Sequence, residues 1–245
     1  MIATKFGNAF DEGTGLMTGT DVSAAYIRQA CAASLRRLGT DRIDVYQCHV
    51  GELERGVAEE VVAALEDLRA EGLIRGYGVS VDTTGHVEGW LGGAGTVSVQ
   101  HRLNVLEDAP EMLDLCEQHG LASLNRSPLA MGLLSGKFSE GARLPDDDVR
   151  ASGAGWLTAF DADGRPRAEW LQALSAIREC LTEDGRTLVQ GALAWIWARS
   201  PVTIPIPGFK TVAQAEENAG ALAHGSLSDR CMREIDDLLE RAQRV

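Results

Sequence analysis

Short apolar runs alternate with longer amphipathic stretches along the whole 245-residue chain. The longer stretches carry apolar residues at helical spacing, as at Val61, Leu65 and Leu68, and predict helices. The short runs are rich in β-branched residues and predict strands. Regular alternation of strand and helix favours parallel βα units. The six predicted strands are residues 2–5, 42–49, 74–80, 96–100, 121–127 and 202–206.

Capping residues set the predicted helix ends. Asp21 or Ser23 can cap a helix that runs to about Leu38 and that Gly39 ends. Pro110 suits the first position of a helix. Residues 6–20, which are Gly-rich and polar, are predicted to be a loop. The further helices predicted are residues 57–70, 111–118, 168–181, 187–199, 211–222 and 228–243.

Residues 137–167 lack periodicity and are rich in Gly, Asp, Arg and Pro. A loop of this length inside a domain is usually functional or disordered. Trp156 and Phe160 lie in it, and exposed aromatic residues are costly to solubility unless something packs on them. We expect a substrate-side loop within one domain that spans residues 1–245.

Composition narrows the class of partner. Hydrophobic residues make up 44% and charged residues 24% of the chain, as in ordinary globular proteins. The net charge of −13 and the absence of a basic stripe exclude nucleic acid as an expected partner. No apolar run approaches the roughly 18 residues that a membrane span needs. The expected partner is a small molecule.

The cysteines and the first residues indicate the compartment. The five cysteines are scattered singly, which gives neither a metal-binding spacing nor an even set for disulfides. Residues 1–7 lack the charged-then-apolar order of a signal peptide. We therefore expect a protein of the reducing cytoplasm that holds no metal.

Polar side chains stand at the ends of four predicted strands. Lys5 and His49 end the first two, and Ser80 and Gln100 end the next two. In a barrel of parallel strands, the carboxyl ends meet at one edge, where active sites form. For His49 alone, a core histidine bonded to a backbone carbonyl is the common alternative.

Two glycine-containing segments follow the last strands. Residues 125–137 read Asn-Arg-Ser-Pro-Leu-Ala-Met-Gly-Leu-Leu-Ser-Gly-Lys, with the turn Ser127, Pro128 and Leu129. Residues 204–210 read Ile-Pro-Ile-Pro-Gly-Phe-Lys and precede a predicted helix N-terminus, which can bind a phosphate. Thr211 can equally be an ordinary helix cap.

Together these motifs resemble the aldo-keto reductase family, nicotinamide-dependent carbonyl reductases on a (β/α)8 barrel, over essentially the whole chain. The resemblance implies NADP(H) as cofactor and an aldehyde, ketone or alcohol as substrate. His49 would donate a hydrogen bond to the substrate oxygen, and Lys5 would lower the pKa of a neighbouring tyrosine. The implied cofactor ligands are Ser80 and Gln100 for the carboxamide, Ser127, Pro128 and Leu129 for the pyrophosphate, and Gly208, Lys210, Gln214, Glu217 and Asn218 for the adenosine phosphate.

The chain departs from the family pattern at three positions. Val81 replaces an asparagine, Arg126 replaces an aromatic residue, and Gln214 replaces an arginine. Lys210 favours NADP(H) over NAD(H) as a point charge for a 2′-phosphate, and Gln214 weakens that preference.

The family's catalytic Asp and Tyr would precede Met1, which predicts an incomplete barrel of about six strands with open edges. Tyr26 is predicted on a helix, and Tyr46 and Tyr77 on the face opposite the strand-end polar residues. Three explanations follow. The chain is a shortened reading of a longer reductase, a non-redox enzyme of the dehydratase or cyclase type, or a catalytically silent binding or assembly protein. Open edges would favour a homo-oligomer.

Overall fold

The computed structural model describes residues 1–11 and 13–243. Six strands form a parallel sheet with surrounding helices, in the order β1-β4-β5-β6-β7-β8, and β2 and β3 form a separate hairpin. The strands are β1 Ala3–Phe6, β2 Asn8–Phe10, β3 Met17–Thr20, β4 Ile43–Cys48, β5 Ile74–Ser80, β6 Thr96–Arg102, β7 Ala122–Arg126 and β8 Thr203–Pro205. The helices are α1 Ala24–Leu38, α2 Arg55–Ala70, α3 Pro110–His119, α4 Ala168–Leu181, α5 Leu188–Arg199, α6 Val212–Gly220 and α7 Asp229–Gln243.

The chain divides into two compact units. Unit 1 comprises residues 1–101 and 110–124, and unit 2 comprises residues 102–109 and 125–245. Unit 1 contains the strand ends with Lys5, His49, Ser80 and Gln100. Unit 2 contains both glycine-containing segments.

Register in unit 1 decides which side chains share a face. Lys5 pairs with Gln47, Gln47 with Gly78, and Gly78 with Ser98 across the parallel strands. Two residues further, Ser80 pairs with Gln100. Because side chains alternate along a strand, these residues all lie on one face, hereafter the inner face.

Helix α1 ends where its caps dictate. The Ser23 hydroxyl accepts a hydrogen bond from the Tyr26 N–H at 3.3 Å. Gly39 takes the left-handed conformation, with φ of 65°, and its N–H bonds back to the last turn.

Residues 6–20 differ from the predicted loop, because they contain the antiparallel hairpin of β2 and β3. Every residue of β3 is exposed, so the hairpin has no buried face and no hydrophobic alternation to signal it. Gly7 precedes the hairpin with φ of 111°, and its carbonyl accepts from the Asp21 N–H at 2.8 Å. The hairpin is therefore held by backbone bonds rather than by a core.

Unit 2 is built around α5. Eight of its residues are buried, and its first turn carries a reciprocal capping box between Thr187 and Gln190. Strand β8 joins the end of β7 through the Ile206 N–H, which donates to the Asn125 carbonyl at 3.0 Å.

Residues 137–167 form a loop that packs on itself. The Leu144 N–H donates to the Gly164 carbonyl at 3.0 Å, and the Phe138 and Phe160 rings meet edge to face at 5.2 Å. Phe160 is buried in the loop, whereas Trp156 keeps 47% of its surface exposed. Of the two aromatic residues, Trp156 is therefore the one on the loop surface.

In the part of the chain that the structure describes, the helices are too short or too polar to cross a membrane.

Candidate active site

Lys5 and His49 stand at the carboxyl ends of neighbouring strands in unit 1. The two strands are in register, and the His49 N–H donates to the Phe6 carbonyl at 2.8 Å. His49 is exposed and Lys5 is partly buried. The Nδ1 atom of the His49 ring lies 3.1 Å from the side-chain nitrogen of Asn8, the first residue of the hairpin. The imidazole is therefore anchored on one side and accessible to a small molecule.

Gln100 and Ser80 are adjacent at the ends of β6 and β5. The Val81 N–H donates to the Gln100 carbonyl at 2.9 Å, which fixes the two strand ends together. The Gln100 side chain is buried, and its Nε2 donates to Gln47 Oε1 at 3.0 Å. This bond uses the donor end of the Gln100 amide, so its acceptor end is left for a ligand with an N–H group.

None of the three tyrosines lies among these inner-face residues. The Tyr46 hydroxyl donates to the Ile27 carbonyl of α1 at 3.5 Å, and the Tyr77 hydroxyl donates to Glu66 Oε1 of α2 at 2.7 Å. Burial raises the pKa of both, that of Tyr77 to about 12. Tyr26, on α1, donates to the Asn8 carbonyl at 2.9 Å. Each hydroxyl is thus committed to the scaffold, as their predicted facing implied.

The predicted pyrophosphate turn in unit 2 has a strained backbone. Ser127, Ala130 and Met131 have positive φ values of 54°, 45° and 55°, and Gly132 follows at 93°. Left-handed residues other than glycine cost roughly 1 kcal/mol or more each and concentrate at ligand sites. The Ala130 and Gly132 N–H groups donate to the Ser127 and Leu129 carbonyls at 2.9 and 2.8 Å, so backbone bonds hold the turn in this shape.

Cations surround this turn. A side chain at Gly132 would lie 3.5 Å from Arg150 Nη1 and 3.8 Å from Lys137 Nζ. Arg150 also donates to the Met131 carbonyl at 3.0 Å. Burial and the neighbouring charges of Arg150 and Lys210 lower the pKa of Lys137. These three cations, hereafter the cationic cluster, therefore lie within electrostatic range of one another.

One carboxylate partly balances the cationic cluster. Asp148 pairs with Arg150 at 2.6 Å, and this bond, with a smaller contribution from Lys210, lowers the pKa of Asp148 far below its usual range. Three cations against one carboxylate leave an excess positive charge in a chain whose net charge is −13. Such a local excess attracts an anion.

The segment from Gly208 to Asn218 forms a short turn and the start of α6. Thr211 caps the helix by accepting from the Gln214 N–H at 3.2 Å, and Gln214 Oε1 accepts from the Lys210 N–H at 2.7 Å. Gly208 and Lys210 are exposed. The side-chain nitrogen of Asn218 is buried and has no partner in the described part of the chain. The helix cap at Thr211, which the sequence offered as the ordinary alternative to a phosphate site, is therefore present. The unpartnered side-chain nitrogen of Asn218 is a donor that a ligand could use.

The structure adds functional candidates that the sequence did not single out. Lys137 ends the motif at residues 125–137. The sequence could not show that it lies beside Gly132, because that position depends on the backbone path of the turn. Arg150 lies in an aperiodic loop, where no motif in the sequence marks it as a functional residue. Asn8 directly follows Gly7, whose left-handed backbone turns the chain back toward His49. Within the described residues, no group of three or more metal-ligating side chains is found.

Comparison with known proteins decides the family. The family model described as "Aldo/keto reductase family" matches residues 1–240. This chain belongs to the aldo-keto reductase family. The predicted family, its oxidoreductase class and the six-stranded parallel sheet with surrounding helices are confirmed.

Curated aldo-keto reductase relatives include redox enzymes from bacteria. The chain is 31% identical to the uncharacterised oxidoreductase YqkF of Bacillus subtilis, over 90% of this chain and 68% of YqkF. It is 33% identical to the NADH-specific methylglyoxal reductase of Escherichia coli, over 90% of this chain and 67% of that protein.

Solved aldo-keto reductase structures share the fold. A glycerol dehydrogenase from Gluconobacter oxydans matches with a TM-score of 0.81 and 26% identity, over 98% of this chain and 72% of that one. A holo-form aldo-keto reductase from Bacillus halodurans matches with a TM-score of 0.74 and 31% identity, over 97% of this chain and 72% of that one.

Proposed function

We propose that this aldo-keto reductase binds NADP(H) and reduces a small aldehyde or ketone, or oxidises the corresponding alcohol. The observation that carries the proposal is the cationic cluster at the strained turn of residues 127–132, which suits a dinucleotide phosphate. Named relatives include an NADP-linked and an NADH-specific enzyme, and a holo structure is among the neighbours.

The chemistry of the donor set fits the cofactor. Ser127, Pro128 and Leu129, with Lys137 and Arg150, would hold the pyrophosphate. Gly208, Lys210, Gln214, Glu217 and Asn218 would hold the adenosine phosphate, and the unpartnered nitrogen of Asn218 supports an adenine contact. Ser80 and Gln100 would hold the carboxamide. We favour NADP(H) because Lys210 is an exposed cation with its backbone fixed by Gln214.

When bound, the reduced nicotinamide supplies a hydride to the carbonyl carbon. His49 donates a hydrogen bond to the carbonyl oxygen, which stabilises the negative charge that develops there. Lys5, one row below on the same face, would add a positive charge to this face. Because the three tyrosine hydroxyls are committed to the scaffold, we propose that His49 only donates this hydrogen bond and that water beside the exposed imidazole supplies the proton to the alkoxide.

Two further expectations remain proposals. Five buried free thiols support a reducing cytoplasm as the compartment. Strand β8 exposes 48% of Ile204, which supports pairing of edge strands between two copies, as sedimentation velocity would detect.

Isothermal titration with NADPH and NADH tests the proposal. Lys137→Met should weaken binding of both about 10-fold, because a charge-assisted phosphate bond is lost. Lys210→Met should weaken NADPH more than NADH. Arg143→Met is the matched control, since Arg143 lies on the same loop but pairs with exposed Asp146.

Three results would count against the proposal. Absence of binding at millimolar cofactor contradicts it outright. Equal loss in the Arg143→Met control removes the role of the cationic cluster. Binding without consumption of NADPH across a panel of aldehydes and ketones would favour the alternative of a binding or non-redox protein.

A further inference from the structure

The contact between Asn8 and His49 carries chemical information beyond position. Asn8 Nδ2 lies 3.1 Å from His49 Nδ1. An amide nitrogen has only donors, so Nδ1 must be the acceptor, and a neutral imidazole then carries its proton on Nε2. We propose that Asn8 is a positioning residue that fixes the Nε2–H tautomer of His49.

The backbone holds Asn8 in place for this role. Gly7 has φ of 111°, and a side chain there would lie 2.9 Å from Val50 Cγ2, so both conformation and space require glycine. The Gly7 carbonyl accepts from the Asp21 N–H, and the Tyr26 hydroxyl donates to the Asn8 carbonyl at 2.9 Å. Asn8 also pairs with Thr20 in the hairpin. Asn8 is therefore tied at its backbone from two sides.

The tautomer decides what His49 can do to a substrate. With the proton on Nε2, the imidazole presents a donor, which is what a carbonyl oxygen requires. With the proton on Nδ1, Nε2 would present a lone pair to that oxygen and repel it. This functional consequence rests on the proposed carbonyl reduction, whereas the tautomer itself does not.

Nitrogen-15 NMR of the histidine rings in the cofactor-free full chain tests the assignment. A His49→Gln variant identifies the His49 signals among the five histidines. The wild type should give a protonated, pyrrole-type Nε2 and a pyridine-type Nδ1. Asn8→Asp, which replaces the donor by an acceptor of the same shape, should place a proton on Nδ1. Asn8→Leu should give a mixture, and Thr20→Ala, an exposed control in the same hairpin, should match the wild type.

Kinetics then tests the role. Asn8→Leu and Asn8→Asp should lower kcat about 10-fold, because the Nε2–H donor to the developing oxyanion is then present in only part of the molecules, with the Kd for NADPH unchanged. Circular dichroism of both variants checks that they fold.

The outcomes separate the tautomer from the reaction. A wild-type ring protonated on Nδ1 overturns the inference, and so does a tautomer unchanged in both Asn8 variants. If the tautomers behave as stated but the wild type reduces no carbonyl, the tautomer assignment stands and the proposed reduction fails.

Discussion

At the scale of single residues, unit 1 holds three buried polar side-chain atoms that have no hydrogen-bond partner in the described structure: Gln47 Nε2, Trp90 Nε1 and Ser98 Oγ. An unsatisfied buried group costs about 1 to 3 kcal/mol, so its retention needs a reason. The other end of the Gln47 amide gives one. Its Oε1 accepts from Gln100 Nε2, and this fixes which end of the Gln100 amide meets a ligand.

Gln47→Met should therefore weaken binding of NADPH about 10-fold, because the Gln100 amide is then free to rotate. Gln47→Glu keeps the acceptor and should bind NADPH better than Gln47→Met does. The measurement is the dissociation constant by fluorescence titration.

The 3-acetylpyridine analogue of the cofactor is the control for that prediction, because it lacks the amide N–H. Its affinity should differ little between wild type and Gln47→Met. An equal loss for both cofactors would mean that Gln47 serves only packing.

At the scale of elements, helices α4 and α5 approach closely through Gly191. A side chain at this position would meet the Leu181 carbonyl at 2.0 Å, closer than any real contact. Gly191→Ala should lower the free energy of unfolding by about 1 to 3 kcal/mol, because one helix must shift. Urea denaturation measures the change.

Gly56→Ala in α2 is the matched control, since nothing lies within 4 Å of a side chain there. Alanine should stabilise that helix by about 0.5 to 1 kcal/mol. Equal destabilisation at both sites would contradict the contact as the cause.

Elements whose ends are marked by capping residues or by the limits of an apolar run were predictable from the sequence. Helix α1 lies between the Ser23 cap and Gly39, and β5 has the bounds that its apolar run predicts. Strand alternation also placed Tyr46 and Tyr77 on the outer face correctly. The β2–β3 hairpin could not be predicted, because it is exposed and its backbone pairing leaves no pattern in side chains.

The candidate site was predictable only in part for the same physical reason. Their position at the ends of predicted strands identified Lys5, His49, Ser80 and Gln100 as candidates, because parallel strands bring their carboxyl ends to one edge. Arg150 could not be found, since its approach to Gly132 depends on the path of an aperiodic loop. Their roles remain predictions that the titrations above decide.

At the scale of the whole molecule, acid should unfold this chain of net charge −13 through carboxylates that are hydrogen-bonded when folded. Hydrogen bonds lower the pKa of Asp11, Asp44, Glu71 and Asp148 below ordinary values. A lowered folded-state pKa contributes stability above the unfolded value, which is lost as the pH falls through the folded value. We expect the free energy of unfolding to fall steeply below about pH 4.

Asp148→Asn isolates one of these groups. At pH 7 the variant should be less stable by about 2 kcal/mol, because the charged bonds to Arg150 are weakened. The difference should shrink as the pH falls below 3.8, the ordinary value for this carboxyl. Urea denaturation from pH 7 to pH 3 measures it, and a difference independent of pH would contradict the ionic origin.

The left-handed Gly7 has a consequence for how this protein can diversify. Directly after it, Asn8 contacts the imidazole, while all four residues of β3 face solvent. The hairpin can therefore change its length and sequence with little effect on His49, provided that Gly7 and Asn8 are kept. Gly7 and Asn8 thus separate the support of the imidazole from the exposed part of the hairpin, which offers a protein engineer a place for insertions that leave His49 in position.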